Sequence, residues 1–125
     1  RGAKGGVLAT TIEAMVALGA DRGRITAAIG PTIAQPSYEV GEAFFEAFCD
    51  DDTGNARFFT PGTPGHYQFD LPAFVTSQLR NAGVSTIENL ALDTYADPAR
   101  FYSFRRATHR GEATYGRQGA FICID

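Results

Sequence analysis

Tryptophan is absent from this chain of 125 residues, and there are only one methionine and two cysteines. Cys49 and Cys123 are too few and too far apart in sequence for a disulfide framework, so we expect reduced thiols. Together with His66 and His109 they lack the paired ligand spacing of a zinc site. The sequence therefore predicts no metal site made from its own residues.

Long apolar runs are also missing, and no stretch approaches the ~20 residues that a membrane-spanning helix needs. The first residues lack the apolar core and cleavage site of a signal peptide, so we expect a cytoplasmic location and no membrane partner. Eleven Lys and Arg against fourteen Asp and Glu give a net charge of -3. That balance argues against nucleic acid as a partner and favours a small molecule.

The composition present, 44% hydrophobic and 20% charged residues, is typical of one globular domain with its own core. Apolar residues recur with helical spacing in three segments, residues 7–18, 40–49 and 71–82. Asp70 and Pro72 mark the start of the third helix, and Gly83 lies beyond its end. Segments with strand character are residues 25–29, 57–60, 66–69, 84–90, 101–105 and 120–124. Helices and strands alternate without a strict rhythm, which predicts an α/β or α+β fold.

The densest group of aromatic and basic side chains lies at residues 101–106. In a strand, Tyr102 and Arg106 would share one face and Arg105 would lie on the other, so at most one arginine would point into a common pocket. The sequence does not decide which arginine that is. Two interpretations stay open, an edge strand with solvated arginines and a guanidinium clamp on a phosphate or a carboxylate.

Two more candidates lie earlier in the chain. Arg1 begins a basic, glycine-rich segment directly before the first helix, where backbone amides and a nearby cation suit an anion such as phosphate. A flexible start to the helix is the other interpretation. Tyr38, just before the second helix, offers either a hydroxyl to a ligand or a packed ring. His109, in a polar loop, is either a proton donor or simply solvated.

Three motifs occur in order along the chain. Arg1-Gly2 precedes a glycine-containing turn and a helix, Ala28-Ile29-Gly30-Pro31 is followed by Tyr38-Glu39-Val40, and the third motif runs from Asp93 to Arg106. Together they resemble the C-terminal half of the laccase-domain (YfiH-like) family of purine nucleoside phosphorylases, formerly called multicopper polyphenol oxidases. The resemblance covers nearly the whole chain.

The resemblance implies an αββα sandwich with mixed sheets. Residues 1–125 would be the C-terminal part of a single domain, with the upstream part missing before Arg1. It implies phosphorolysis of adenosine, inosine and methylthioadenosine, with adenosine deaminase activity alongside. It also implies zinc, held by two histidines and a cysteine upstream of the position that matches Arg1. Copper is less favoured, because Thr32, Gln35, Pro36 and Ser37 replace the family's cysteine-rich central signature.

By the same resemblance, Arg1, Arg105 and Arg106 are candidates for contacts to phosphate or ribose, and Tyr38 and Tyr102 for walls around the substrate. No catalytic residue is assigned. The expected partners are a purine nucleoside and phosphate, with a homodimer as a further expectation. Two alternatives remain, a noncatalytic interaction domain that lacks the metal centre and a copper polyphenol oxidase.

Overall fold

The computed structural model describes residues 1–123, which form four α-helices and five β-strands. In chain order these are α1 (Val7–Ala17), β1 (Thr26–Ile29), β2 (Glu39–Gly41), α2 (Glu42–Asp51), β3 (Phe59–Pro61), β4 (His66–Phe69), α3 (Leu71–Asn81), β5 (Thr86–Asn89) and α4 (Phe104–His109). None of the helices in this part of the chain has the length and apolar character needed to cross a membrane.

The strands form two separate sheets. β1 and β5 pair in parallel, and β4 lies between β2 and β3 in an antiparallel sheet. The mixed α/β architecture expected from the sequence is therefore confirmed. Parallel pairing requires a long crossover, and here the crossover from β1 to β5 contains the whole antiparallel sheet together with α2 and α3.

Each sheet has its own apolar core. Phe69, on the central strand β4, is only 1% exposed, and it packs with Phe48 of α2 and Phe74 of α3. The second core lies under the parallel sheet, where Ile12 of α1 and Leu79 of α3 meet Ile25. Helix α3 contributes to both cores, so it joins the two sheets into one unit.

The predicted helices are largely confirmed. Helix α1 matches the predicted segment 7–18 to within one residue, and Asp70 caps α3 by accepting a hydrogen bond from the amide of Ala73 at 2.9 Å. Such a cap stabilises a helix by about 1 kcal/mol. Gly19 and Gly83 follow these two helices with positive φ values of 102° and 92°, as a helix end requires.

The second predicted helix, residues 40–49, begins too early. Val40 lies in strand β2 and pairs with Tyr67, and α2 begins only at Glu42. The strand prevails at Val40 because its side chain fills the aromatic core from the sheet side. The predicted hairpin is confirmed in β3 and β4, although Arg57 belongs to a 3-10 turn before it.

Two predicted strands are wrong where the structure describes them. Residues 101–103 have no regular structure, and Phe104 begins helix α4 because the Ser103 hydroxyl accepts a hydrogen bond from the amide of Arg106 at 3.3 Å. This N-cap overrides the strand preference of the neighbouring aromatic residues. Residues 120–123 also form no strand, and Ile124 of that predicted strand lies outside the described residues.

Candidate substrate-binding site

A cleft opens at the carboxyl ends of β1 and β5. The Thr32 amide donates to the Leu92 carbonyl at 3.0 Å, and the Thr94 amide donates to the Thr32 carbonyl at 2.9 Å, so the parallel pairing continues past both strands. Beyond this bridge the two segments form opposite walls of the cleft. In open α/β sheets, ligands bind outside the carboxyl ends of parallel strands.

The cleft has a volume of about 410 Å³, the size of a small-molecule site. Three of the five substrate-contact candidates predicted from the sequence line it together, namely Tyr38, Tyr102 and Arg105. The other lining residues are Pro31, Thr32, Ile33, Thr94, Ser103, Phe104 and Gln118. Aromatic faces, hydroxyl groups and one guanidinium group therefore share one opening.

Arg105 is the cation of this cleft. Its Nη1 donates to the carbonyl oxygen of Glu39 at 2.6 Å, and its guanidinium carbon lies 5.2 Å from the centre of the Tyr38 ring. Among the described residues it forms no ion pair with a carboxylate. A half-buried guanidinium that uses one donor on a carbonyl group retains further donors for an anion.

Arg106 points away from the cleft into its own loop. Its Nη1 donates to the carbonyl oxygens of Thr94 and Tyr95 at 2.6 and 2.9 Å, and its Nη2 donates to the carbonyl oxygen of Phe101. The two arginines separate because successive residues of a helix point about 100° apart. Arg106 does not line the cleft, and these bonds hold the loop that leads into α4.

Tyr102 is held in the cleft by the segment that follows α4. The side chain of Gln118 accepts from the Tyr102 amide at 2.7 Å and donates to its carbonyl at 3.0 Å. A Cβ atom at Gly116 would overlap the Tyr102 ring, so only glycine permits this close approach. The ring is 58% exposed, which leaves a face available to a ligand.

Arg1 lies in a neighbouring cavity of about 450 Å³ instead of in the cleft. The wall of this cavity is mostly apolar and includes the four aromatic residues Tyr38, Phe44, Phe48 and Phe69, together with the basic residues Arg1 and Lys4. Tyr38 lines both spaces, so its ring separates an aromatic cavity from the more polar cleft. The structure thus brings Arg1 near Tyr38 but does not place it in the same opening as Arg105.

Asp93 links the two walls of the cleft. Its Oδ2 accepts from the Ser37 hydroxyl at 2.6 Å, and its Oδ1 accepts from the amides of Tyr95 and Ala34 at 2.9 and 3.3 Å. Burial raises the pKa of this carboxyl group, but the hydrogen bonds outweigh that effect and bring its pKa below the ordinary value. Asp93 is therefore a charged, well-bonded group beside the cleft.

Asp93 and Gln118 are the residues of this region that the sequence did not single out. Asp93 began one of the quoted motifs, yet a carboxylate that bonds a serine 56 positions away has no local sequence pattern. Within residues 1–123, no three His, Cys, Asp or Glu side chains lie together in a way that suits a metal ion. The donor set described here therefore does not fit zinc or copper.

With this geometry in place, comparison with known proteins gives the family. The family model described as multi-copper polyphenol oxidoreductase laccase matches residues 1–125, the whole chain. The chain belongs to this family.

Curated relatives of this laccase-like domain carry the name purine nucleoside phosphorylase. The chain is 39% identical to the Rickettsia prowazekii protein over 110 residues, which is 87% of the chain and 45% of that protein. It is 47% identical over 89 residues to the Rickettsia conorii protein, covering 70% of the chain and 37% of that protein. With the Mycobacterium tuberculosis protein of strain H37Rv the identity is 33%, over 99% of the chain and 46% of that protein. The chain thus spans less than half the length of these relatives.

Two solved structures share the fold of this laccase-like domain. The Neisseria meningitidis protein NMB0706, of the family model DUF152, superposes with a TM-score of 0.71 at 30% identity over 84% of the chain and 42% of that protein. The Bacillus licheniformis hypothetical protein YfiH superposes with a TM-score of 0.79 at 24% identity, over 91% and 43%. The fold and the family expected from the three sequence motifs are both confirmed.

Proposed function

We propose that this chain supplies part of the substrate site of a purine nucleoside phosphorylase that cleaves adenosine, inosine and methylthioadenosine. The observation that carries the proposal is the cleft at the carboxyl ends of β1 and β5, where Arg105 lies beside the ring of Tyr38 and shares the opening with Tyr102. The name shared by the curated relatives supports the same reaction. Adenosine deaminase activity belongs to the proposal as a second expected activity.

The reaction needs an anion site next to an aromatic surface. A phosphate oxygen forms a bond to the anomeric carbon of the sugar as the glycosidic bond breaks, and the bonding electrons leave with the purine, which then takes up a proton. The enzyme must therefore hold phosphate against the sugar and keep the base in place. Arg105 would bind the phosphate, since a guanidinium matches phosphate oxygens in geometry and charge.

The two tyrosines would hold the nucleoside. The exposed ring of Tyr102 provides a flat surface on which a purine can stack, and Tyr38 provides a second aromatic ring in the lining. Arg1 would act from the neighbouring aromatic cavity, on the other side of Tyr38. Arg106 would contribute to substrate contacts only through the loop that its guanidinium holds.

The remaining expectations stay proposals. Zinc is proposed only through the residues that the family resemblance places before the position of Arg1, because the described residues bring together no three side chains that suit a metal ion. A cytoplasmic location and a homodimer are also predictions. Intact mass, metal content and light scattering on one purified sample would test the upstream segment, the zinc and the dimer together.

The experiment that tests the function is phosphate-dependent cleavage of inosine and adenosine by the protein that carries this chain. Formation of free purine should require phosphate and should yield the sugar phosphate in equal amount. Purine release that does not depend on phosphate would contradict phosphorolysis. Failure to cleave or bind any purine nucleoside would favour the noncatalytic interaction domain.

The family description also names a copper polyphenol oxidoreductase. Oxidation of phenols by a multicopper site requires several imidazole or thiolate ligands close together. The described residues bring no such group together, whereas they do bring together an arginine and two tyrosines. The arginine and tyrosines of the cleft support phosphorolysis, and oxygen consumption with a phenol would instead support the oxidoreductase.

A further inference from the structure

Asp93 occupies a position between the two segments that form the walls of the cleft. It does not line the cleft itself, but it is the bridge partner of Thr32 and directly precedes Thr94, and both of these residues line the cleft. Its carboxylate reaches across to the segment of residues 31–38, which ends at Tyr38. A side chain in this position can act on a bound ligand only through its neighbours.

We propose that Asp93 is a positioning residue, whose carboxylate fixes the distance between the wall that carries Tyr38 and the wall that carries Thr94 and leads to Arg105. This inference rests on the proposed function of the cleft and deepens it. The three hydrogen bonds that carry it come from the Ser37 hydroxyl at 2.6 Å, the Tyr95 amide at 2.9 Å and the Ala34 amide at 3.3 Å.

The two oxygens of the Asp93 carboxylate accept hydrogen bonds from different donors. Oδ1 accepts from both walls at once, because Ala34 belongs to one segment and Tyr95 to the other. Oδ2 binds the hydroxyl of Ser37, directly before Tyr38 in the chain. Loss of the carboxylate would leave these donors without their acceptor. It would weaken the link between the two segments, which the backbone bonds of Thr32 with Leu92 and Thr94 would still join.

A second set of hydrogen bonds connects the wall at Thr94 to helix α4. The carbonyl oxygens of Thr94 and Tyr95, next to Asp93, accept from the guanidinium of Arg106. Arg105, the neighbour of Arg106 in α4, in turn donates to the carbonyl of Glu39, next to Tyr38. Asp93 thus belongs to a closed ring of contacts around the cleft, in which its side chain joins the two walls at one end and the Arg105 side chain joins them at the other.

Three substitutions separate geometry from charge. Asp93→Ala removes all three acceptor contacts. Asp93→Asn removes the charge but keeps an Oδ1 that accepts from both amides, and its new amide group can donate to the Ser37 hydroxyl. Ser37→Ala removes only the bond to Oδ2.

Asp97 offers a matched control in the same segment. Its carboxylate accepts from the Arg100 amide at 3.2 Å and from Arg100 Nε at 2.5 Å, so its hydrogen bonds stay within its own loop. Asp97→Ala therefore removes an aspartate of similar chemistry without separating the walls. It should leave the kinetics of the native protein unchanged to within about twofold.

The experiment measures phosphorolysis of inosine, with KM determined for inosine and for inorganic phosphate, in the protein that carries this chain. Asp93→Ala should raise at least one KM by about tenfold or more, because the walls no longer hold their ligand groups at the required spacing. Asp93→Asn should restore KM to within about threefold of the native protein, and Ser37→Ala should fall between the two. Equal losses in the Ala and Asn variants would overturn the proposal, since charge and not geometry would then be what matters.

Hydrogen exchange supplies a readout that does not depend on activity. In Asp93→Ala, peptides that cover residues 31–38 and 92–97 should lose protection together, while the peptide of residues 66–69 stays protected. Absence of phosphorolysis in the native protein would contradict the proposed function. The hydrogen-exchange comparison would still test the positioning role, because it does not depend on activity. Unchanged protection of residues 31–38 in Asp93→Ala would contradict the positioning role whether or not the protein is a phosphorylase. If Asp93→Ala does not fold, the same comparison between Ser37→Ala and Asp97→Ala decides the question.

Discussion

Removal of the Arg105 guanidinium is the sharpest test of the cleft as a phosphate site. Arg105 forms no ion pair among the described residues, it lines the cleft, and one of its donors is used by the Glu39 carbonyl. A hydrogen bond to a charged group contributes about 1.5 to 3 kcal/mol. Arg105→Ala should therefore lower kcat/KM by about 10- to 150-fold, with the larger change in the KM for phosphate.

The same substitution also has a cost for the fold. It removes the bond to Glu39, worth about 1 kcal/mol net, and the contact with the Tyr38 ring, worth about 0.5 to 2 kcal/mol. The free energy of unfolding should fall by about 1 to 3 kcal/mol in urea titrations. Assays are to be run where the variant is folded, so that lost stability is not counted as lost activity.

Arg22 provides the matched control. It is also a half-buried arginine, and its Nη1 donates to the Ala82 carbonyl at 2.7 Å, but it packs against α1 and α3 away from the cleft. Arg22→Ala should lower stability by a similar amount and leave kcat/KM unchanged. Arg105→Lys should give an intermediate loss, because an ammonium keeps the charge without the planar donor geometry. A folded Arg105→Ala protein with kcat/KM within about twofold of the native value would refute the phosphate role.

Three other substitutions follow from the same contacts. Gly116→Ala should raise the KM for inosine with little change in unfolding temperature, because the new methyl group displaces the exposed Tyr102 ring from the cleft; an unchanged KM would show that the ring position is immaterial. Phe69→Ala should lower the free energy of unfolding by about 3 to 5 kcal/mol in urea titrations, since its buried ring contacts both α2 and α3. Asp93→Asn should be less stable than the native protein near neutral pH, and the difference should shrink as the pH falls below the ordinary carboxyl pKa of 3.8. The sign follows because the folded carboxyl group has the lowered pKa, so its stabilisation is lost as it becomes protonated in acid; a difference that grows in acid would contradict it.

Much of the fold could be predicted from local patterns. The periodicity of α1 and α3, the cap at Asp70 and the aromatic hairpin of β3 and β4 each depend on residues close together in sequence. Strand β2 could not be predicted in the same way. Its three residues are strand only because they pair with β4, where the partners lie 25 to 29 positions further along the chain.

The sequence predicted several of the residues that line the cleft, but not how these residues are arranged. Tyr38, Tyr102 and Arg105 do line one cleft, but no sequence pattern places Arg1 in a different cavity or points to Gln118. Gln118 holds Tyr102 from 16 residues away, through backbone atoms whose position no sequence pattern specifies. Contacts of this kind become visible only once the chain is folded.

At residues 101–105 the structure has the start of a helix where the sequence predicted a strand, and this difference decides which arginine reaches the cleft. In a strand, Arg105 and Arg106 would point to opposite faces, and the alternation of side chains alone would not choose between them. The cap at Ser103 makes the segment a short helix, which turns Arg106 onto three loop carbonyls and leaves Arg105 beside Tyr38. A serine three positions before Arg106 is a recognisable start signal for a helix, so the choice between the arginines was present in the sequence as a capping residue. Ser103→Ala should therefore loosen α4 and weaken both arginine contacts at once, with loss of phosphorolysis and of exchange protection at residues 104–109 in the same variant.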